Sequence, residues 1–388
     1  MTYLPTADHD ELRAMVRELA EERIAPRAAE IDEKQEFPWD LKELLAQQDL
    51  LGTCFEERHG GTALDTIAQS IVVEEIARAD ATTSLIPIVQ KLGALPILLS
   101  GSDEQKDRYF PRLASGEWLV AFALTEAAAG SDVASNRMRA TRAGNHYVLN
   151  GSKRFITHGS VANLLTVFAL TDADAGGRKG MSAFIVETAN PGFGAPRVEH
   201  KMGIRGSPTA ELTFDSVQVP LDNRIGAEGD GFKIAMATLD RSRLGIAAQA
   251  VGIAQGALDA AVAYAADRKQ FGQRVVDFQG IRWMLADMAS QTEAARQLTY
   301  AAAARVDAQA HDLPYWTSSA KLVAGDVAMK VTTDAVQVLG GYGYIAEYPV
   351  ERMMRDAKIT QLYEGTQQIQ RLIVARQLLQ RAGVSMKG

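Results

Sequence analysis

His146-Tyr147-Val148-Leu149-Asn150-Gly151-Ser152-Lys153-Arg154-Phe155-Ile156-Thr157 lies near the middle of a 388-residue chain. Residues 146–149 read as a strand, and the Asn150-Gly151 pair after them is a hairpin signal. In residues 151–159 an aromatic stands two positions before a threonine. On a strand that spacing places Phe155 and Thr157 on one face. Read alone, the pair is most simply a core Phe and a surface Thr.

Outward from this stretch the β texture continues from about residue 120 to 231. Residues 165–170, 182–186, 210–214 and 217–219 are short runs rich in β-branched and aromatic residues. Turn pairs Gly176-Gly177, Pro191-Gly192 and Asp222-Asn223 separate them. Before the β region the texture is helical. Residues 11–31 carry Leu12, Met15, Val16 and Leu19 at helical spacing, with Pro26 set to kink or end the run. Residues 41–50, 66–78, 83–99 and 103–110 continue the pattern, the third crossed by Pro87 and Pro96. After residue 232 the chain is helical again over 247–267, 280–310 and 316–339, with a fourth helix ending over 375–381. Its many alanines permit close helix approach. The expected class is α+β: a helical N-terminal domain (1–119), a central β-barrel-like domain (120–231) and a C-terminal four-helix bundle (232–388).

Hydrophobic residues make up 47% of the chain, enough for a large core. With 41 Lys+Arg against 48 Asp+Glu the net charge is -7, which argues against nucleic-acid or membrane-surface binding. The single cysteine, Cys54, excludes a disulfide framework within the chain and a cysteine-based zinc site. No metal site is expected from the scattered histidines. The N-terminus carries early acids and no apolar core of a signal peptide. Apolar stretches such as 244–256 read as too short to span a bilayer. A cytoplasmic protein is expected.

Four local patterns invite chemistry, each with a plain alternative. LTEAAAGSD (124–132) is either an interdomain linker or a loop whose N–H groups approach a planar or anionic ligand. GSKRFITHG (151–159) contains the Phe155/Thr157 pair. In DRKQFG (267–272) the basic residues serve the helix dipole, or Arg268 contacts phosphate. In Tyr363-Glu364-Gly365-Thr366, Thr366 is suited to cap the next helix. Capping does not explain a carboxylate beside an aromatic at a bend. GYGYIA (341–346) follows a helix and lacks the spacing of a dinucleotide fingerprint.

Together and in this order, LTEAAAGSD, GSKRFITHG, DRKQFG and QVLGGYGY…YEGTQQIQ resemble the acyl-CoA dehydrogenase family, over roughly residues 10–380. The resemblance implies FAD as cofactor and Glu364 as the base removing the α-proton of an acyl-CoA thioester. Hydride then leaves the β-carbon for flavin N5, giving a trans-2-enoyl-CoA. It further implies that the thioester oxygen is held by the Glu364 N–H and a ribityl hydroxyl. Ser242 stands where some branches of the family carry the base instead, so this chain is similar to the commoner branch.

For the cofactor the resemblance implies Phe122, Leu124 and Thr125 along the isoalloxazine, Ser131 near phosphates and on the substrate side, and Phe155 and Thr157 beside the ring. Arg268, Gln270, Phe271, Phe278 and Gln279, with Gln337 and Gly341, match the segments reaching the dinucleotide half of a neighbouring subunit's FAD. Thr366 and Gln368 match residues near the adenosine. Asp240, Arg243, Tyr363 and Gly365 fall on the substrate side. A homotetramer arranged as a dimer of dimers and an electron-transferring flavoprotein as partner are implied. His158 replaces the family's usual asparagine. The acyl pocket is expected from residues 82–99, with Ile86, Val89, Leu92 and Leu95, and from near Tyr363. Lys91 within that stretch is unusual, and short or branched acyl groups are expected. The alternatives are a flavin acyl-CoA oxidase, a relative acting on a non-CoA substrate, and a catalytically inactive scaffold of the same family.

Overall fold

The computed structural model describes residues Tyr3 to Val384. The N-terminal helices are α1 (Ala7–Leu19), α2 (Ala28–Lys34), α3 (Trp39–Gln47), α4 (Thr66–Ala79), α5 (Ala81–Ser100) and α6 (Asp103–Ala114). α1 begins with a reciprocal cap between Thr6 and His9. It gives way to a π turn over Ala20–Ile24 and a 3-10 turn containing Pro26, the kink that this proline dictates.

The middle of the chain forms β1 (Val120–Ala123), β2 (Arg139–Ala143), β3 (His146–Thr157), β4 (Leu164–Leu170), the short α7 (Gly176–Gly180), β5 (Met181–Glu187), β6 (Phe193–Val198), β7 (Thr209–Pro220) and β8 (Arg224–Ile225). The strands run β6-β7-β3-β2-β4-β5-β8, with β1 parallel to β4. β6 and β8 end the strand path, so the barrel-like domain is one mixed sheet with no closing strand pair among the described residues. Among the described residues the ladder pairing between its two halves is Arg139 with Leu170, and the Tyr147 and Phe184 rings, 5.0 Å apart, pack between them.

Asn150-Gly151 does not turn the chain. β3 runs straight through it, and the register against β7 slips between Leu149 and Gly151. Gly151 at φ +144° forms a bulge there, and Asn150 Oδ1 accepts the Ser216 N–H across it at 2.8 Å. The hairpin lies earlier, where Gly144 at φ +62° joins β2 to β3. A second slip between Lys153 and Ile156 places Phe155 at φ +58° with 59% of its surface exposed. The simple reading of Phe155 as a core residue is therefore wrong. The bulge turns it outward while Ile156 fills the core.

The C-terminal bundle comprises α8 (Gly231–Asp267), α9 (Gln279–Asp307), α10 (Leu313–Leu339), the short α11 (Pro349–Ala357) and α12 (Gln367–Arg381). A two-stranded ribbon, β9 (Lys269–Gln270) with β10 (Gln273–Arg274), links α8 to α9. α8 starts 16 residues before the expected point, and at 37 residues it crosses the bundle and the N-terminal domain. Where it passes α4, a side chain at Gly252 would lie 2.2 Å from the Glu74 carbonyl oxygen, and one at Gly256 2.3 Å from that of Arg78. Larger residues would force the helices apart. By length and composition α5 and α8 could each cross a bilayer, contrary to the expectation for these stretches. In this fold they are core helices, with 83% and 72% of their most apolar windows buried.

The loop before β7 ties the sheet to the bundle. The Asp356 carboxylate of α11 accepts the Ile204 N–H, Arg355 donates to the Met202 carbonyl at 3.1 Å, and the His158 N–H donates to the Pro208 carbonyl at 2.7 Å. Asp356 is 2% exposed. Burial pushes its pKa up to about 7, and Asp80 and Asp32 add to the rise. Between the ordinary aspartate range and pH 7 the folded state holds a proton that the unfolded chain has lost, so stability falls as pH rises through that window. Asp356→Asn keeps an acceptor for Ile204 and removes the charge. Its melting temperature is expected to exceed the parent's by ~2–5 °C at pH 8, the difference vanishing near pH 4 in calorimetry at both pH values.

Candidate functional site

α11 ends in a 3-10 turn over Lys358–Gln361, and the chain then bends through Tyr363 to Thr366 before α12. Thr366 caps α12 by accepting the Ile369 N–H, as the sequence suggests. Glu364 sits at φ +50° and Gly365 at φ +95°, two successive left-handed residues. A non-glycine residue held there is strained, and the surroundings fix it. Lys321 of α10, buried at 0% exposure, donates from Nζ to the Gly365 carbonyl at 2.7 Å. Gln370 Nε2 donates to the carbonyls of Glu364 (3.2 Å) and Gly365 (2.9 Å). Arg243 of α8 donates to Ser318 and, at 3.3 Å, to Gln370 Oε1, and its Nη2 lies 3.3 Å from Asp240. Arg243 is thus anchored behind the bend.

The Glu364 carboxylate accepts a hydrogen bond from Ser242 Oγ. Glu364 is half-buried by surface area. Protein atoms otherwise surround it, and burial raises its pKa above the usual carboxylate range. The Ser242 bond and the charges of Arg243, Lys321 and Lys91 hold that rise back. Among the described residues no hydrogen bond uses the Glu364 backbone N–H. Tyr363 points away and donates to Gln249 Oε1, and Gln249 Nε2 reaches the Ala81 carbonyl (3.1 Å) and Ser84 Oγ (3.0 Å).

The cleft at Ser242 is lined by Thr53, Thr66, Gln69 and Ser70 on the α4 side and by Ile88, Lys91 and Leu92 of α5. Its enclosed volume is about 20 Å³, so it is a narrow, tightly lined crevice. Of the expected lining residues only Leu92 reaches it. Ile86, Val89 and Leu95 are buried on other faces of α5, because the helical phase turns residues 88, 91 and 92 to the cleft.

A second group forms at the open side of the sheet. The Arg154 N–H donates to the Thr125 carbonyl at 2.8 Å, joining β3 to the loop after β1. Lys153, fully buried, donates to the Leu124 carbonyl (3.0 Å) and to Glu126 (2.8 Å). Glu126 also accepts the N–H groups of Arg137 (2.7 Å) and Met138 (3.0 Å). Phe122, Leu124, Thr125, Phe155 and Thr157 are thereby brought to one region, where the exposed Phe155 ring carries the Arg154 guanidinium 5.3 Å from its centre. Ser131 is exposed farther along the loop. His158 is 1% exposed, stacks edge-on against Phe37 at 5.0 Å, and burial drives its pKa down to about 3. It is a neutral packing residue under the loop 201–208.

The third group lies at the far end of the bundle. Arg268, Gln270 and Gly341 line one pocket with Tyr264, Leu339 and Tyr342, and the Arg268 guanidinium stands 5.1 Å from the Tyr342 ring centre. Phe271, 93% exposed, meets Phe278 edge-on at 6.1 Å. Gln279, Gln337 and Gln368 are exposed. Among the described residues no hydrogen bond or ring contact connects this group to the Phe155 region. The sequence reading overlooked Lys153, Glu126, Gln249, Lys321 and Gln370. Polar residues inside apolar helical or strand patterns are the signal that could have found them.

The exposed Phe155, the free Glu364 N–H and the small-residue loop after β1 suit a planar cofactor carrying anionic groups. Three family profiles cover the chain: acyl-CoA dehydrogenase N-terminal domain over residues 6–117, middle domain over 121–217 and C-terminal domain over 229–379. The chain is 51% identical over 372 residues to a probable acyl-CoA dehydrogenase FadE25 of Mycobacterium tuberculosis, covering 96% of this chain and 95% of that one. It is 48% identical to a short-chain-specific acyl-CoA dehydrogenase of Clostridium acetobutylicum, covering 97% and 99%. The butyryl-CoA dehydrogenase of Megasphaera elsdenii superposes with a TM-score of 0.95 at 43% identity, covering 98% and 100%. Fold, site and these relationships agree, and the chain belongs to the acyl-CoA dehydrogenase family.

Proposed function

We propose that this acyl-CoA dehydrogenase converts an acyl-CoA thioester to its trans-2-enoyl-CoA with Glu364 as base and FAD as cofactor. The carrying observation is a desolvated carboxylate at a fixed bend, bonded to Ser242, which itself lines the cleft. A proton at the thioester α-carbon moves to the Glu364 carboxylate, whose raised pKa favours keeping it. The Glu364 N–H, unused among the described residues, is free to donate to the thioester oxygen as charge builds there. Bound FAD supplies the acceptor for hydride from the β-carbon.

Phe122, Leu124, Thr125, Phe155 and Thr157 would hold its ring region, and Ser131 a phosphate. Arg268, Gln270, Phe271, Phe278 and Gly341 would serve the dinucleotide half belonging to a second subunit. Among the described residues no hydrogen bond or ring contact joins those two groups, which supports that division. A homotetramer built as a dimer of dimers would supply such a second subunit. Reducing equivalents would leave to an electron-transferring flavoprotein.

The test is direct. The purified protein is expected to be yellow, and anaerobic addition of a short acyl-CoA should bleach its flavin band within seconds. A protein that carries flavin yet is bleached by no acyl-CoA contradicts the reading.

A further inference from the structure

The cleft beside Ser242 is not built for a plain alkyl chain. Thr53, Thr66, Gln69 and Ser70 give its α4 side a polar lining, and Lys91 enters from α5. A lysine usually carries its ammonium out to bulk water. Lys91 is half-buried, and burial pushes its pKa down. Among the described residues it makes no hydrogen bond and no ion pair.

The acidic groups that could neutralise it are committed. Asp307 accepts from the Thr66 N–H (3.2 and 3.1 Å) and hydroxyl (2.6 Å). Glu364 is bonded to Ser242. The nearby Cys54 thiol, its pKa pushed up to about 11 by burial, stays neutral. Gln69 keeps Nε2 on the Leu64 carbonyl at 2.6 Å and leaves its buried Oε1 without a donor. An unpaired cation in a half-enclosed cleft is costly unless an anion completes it.

We propose that Lys91 is a specificity residue that pairs with a carboxylate at the far end of the acyl chain, so that the preferred substrate is the mono-CoA thioester of a short dicarboxylic acid. The inference rests on the acyl-CoA dehydrogenase reading of the same site. Ser242, bonded to the base, lines one part of the cleft and Lys91 another. A chain whose α-carbon is at Glu364 therefore extends along α5 towards the ammonium.

The experiment compares kcat/KM of the holoenzyme, with a dye acceptor, on glutaryl-CoA and adipoyl-CoA against butyryl-CoA, valeryl-CoA and hexanoyl-CoA. The carboxylate-ended substrates are expected to lead by ~10–100-fold, the worth of a charged hydrogen bond in a desolvated site. Lys91→Met should reverse that ratio, and Lys91→Arg should preserve its direction. Preference for methyl-ended chains in the wild type, or a ratio that Lys91→Met does not change, overturns the assignment of Lys91. Reduction by none of the five overturns the reaction on which it rests as well. The wild-type comparison stands even if a variant folds poorly.

Discussion

Glu364→Gln is expected to bind FAD as the parent does and to lose flavin reduction by acyl-CoA by about 10³-fold or more. The amide keeps nearly the same volume and still accepts from Ser242, so the bend should persist. Lys321 and Gln370 bind main-chain carbonyls at Glu364 and Gly365, not the side chain, and those contacts are unaffected. What disappears is a group that can accept a proton. In the parent the same carboxyl must be ionised to act. Its pKa is raised, so reduction should slow as pH falls towards that shifted value and level off above it. Stopped-flow reduction across pH 5–9 measures both. A variant reduced at the parent rate, or a parent rate that climbs as pH falls, removes Glu364 from the role.

Lys153→Met is expected to destabilise the protein by ~2–4 kcal/mol and to weaken retention of flavin on gel filtration. Lys153 is fully buried, and its ammonium is a donor for both the Leu124 carbonyl and Glu126. Removing it strands a carboxylate and a carbonyl at the loop that carries Leu124 and Thr125. Glu126 retains the N–H groups of Arg137 and Met138, which places the loss below that of a fully orphaned ion. Adding Glu126→Gln to Lys153→Met should recover part of the stability, since the stranded charge is gone. If the single variant melts with the parent and retains flavin equally, the pair does not hold the loop.

Much of the organisation was legible in the chain. Thr66 and Gln367 start helices whose apolar spacing and caps, Asp65 and Thr366, are local properties, and local signals survive into the fold. Asn150-Gly151 misled because a bulge and a hairpin call on the same residue types, and pairing with Ser216 of β7 chose the bulge. The same long-range pairing turned Phe155 outward. The α5 positions facing the cleft were misassigned for a related reason. α5 is apolar nearly all round, so its sequence does not say which neighbour lies on which side.

The sequence by itself determined the three textures, the bend at Glu364-Gly365, and the family to which its four motifs point, because each depends on residues close together in the chain. Only the tertiary structure decided what surrounds that carboxylate. Ser242, Arg243, Lys321 and Lys91 approach it from α5, α8 and α10, more than 40 residues away in every case. Desolvation and the position of charge are set by packing across the whole molecule, and no local pattern encodes them.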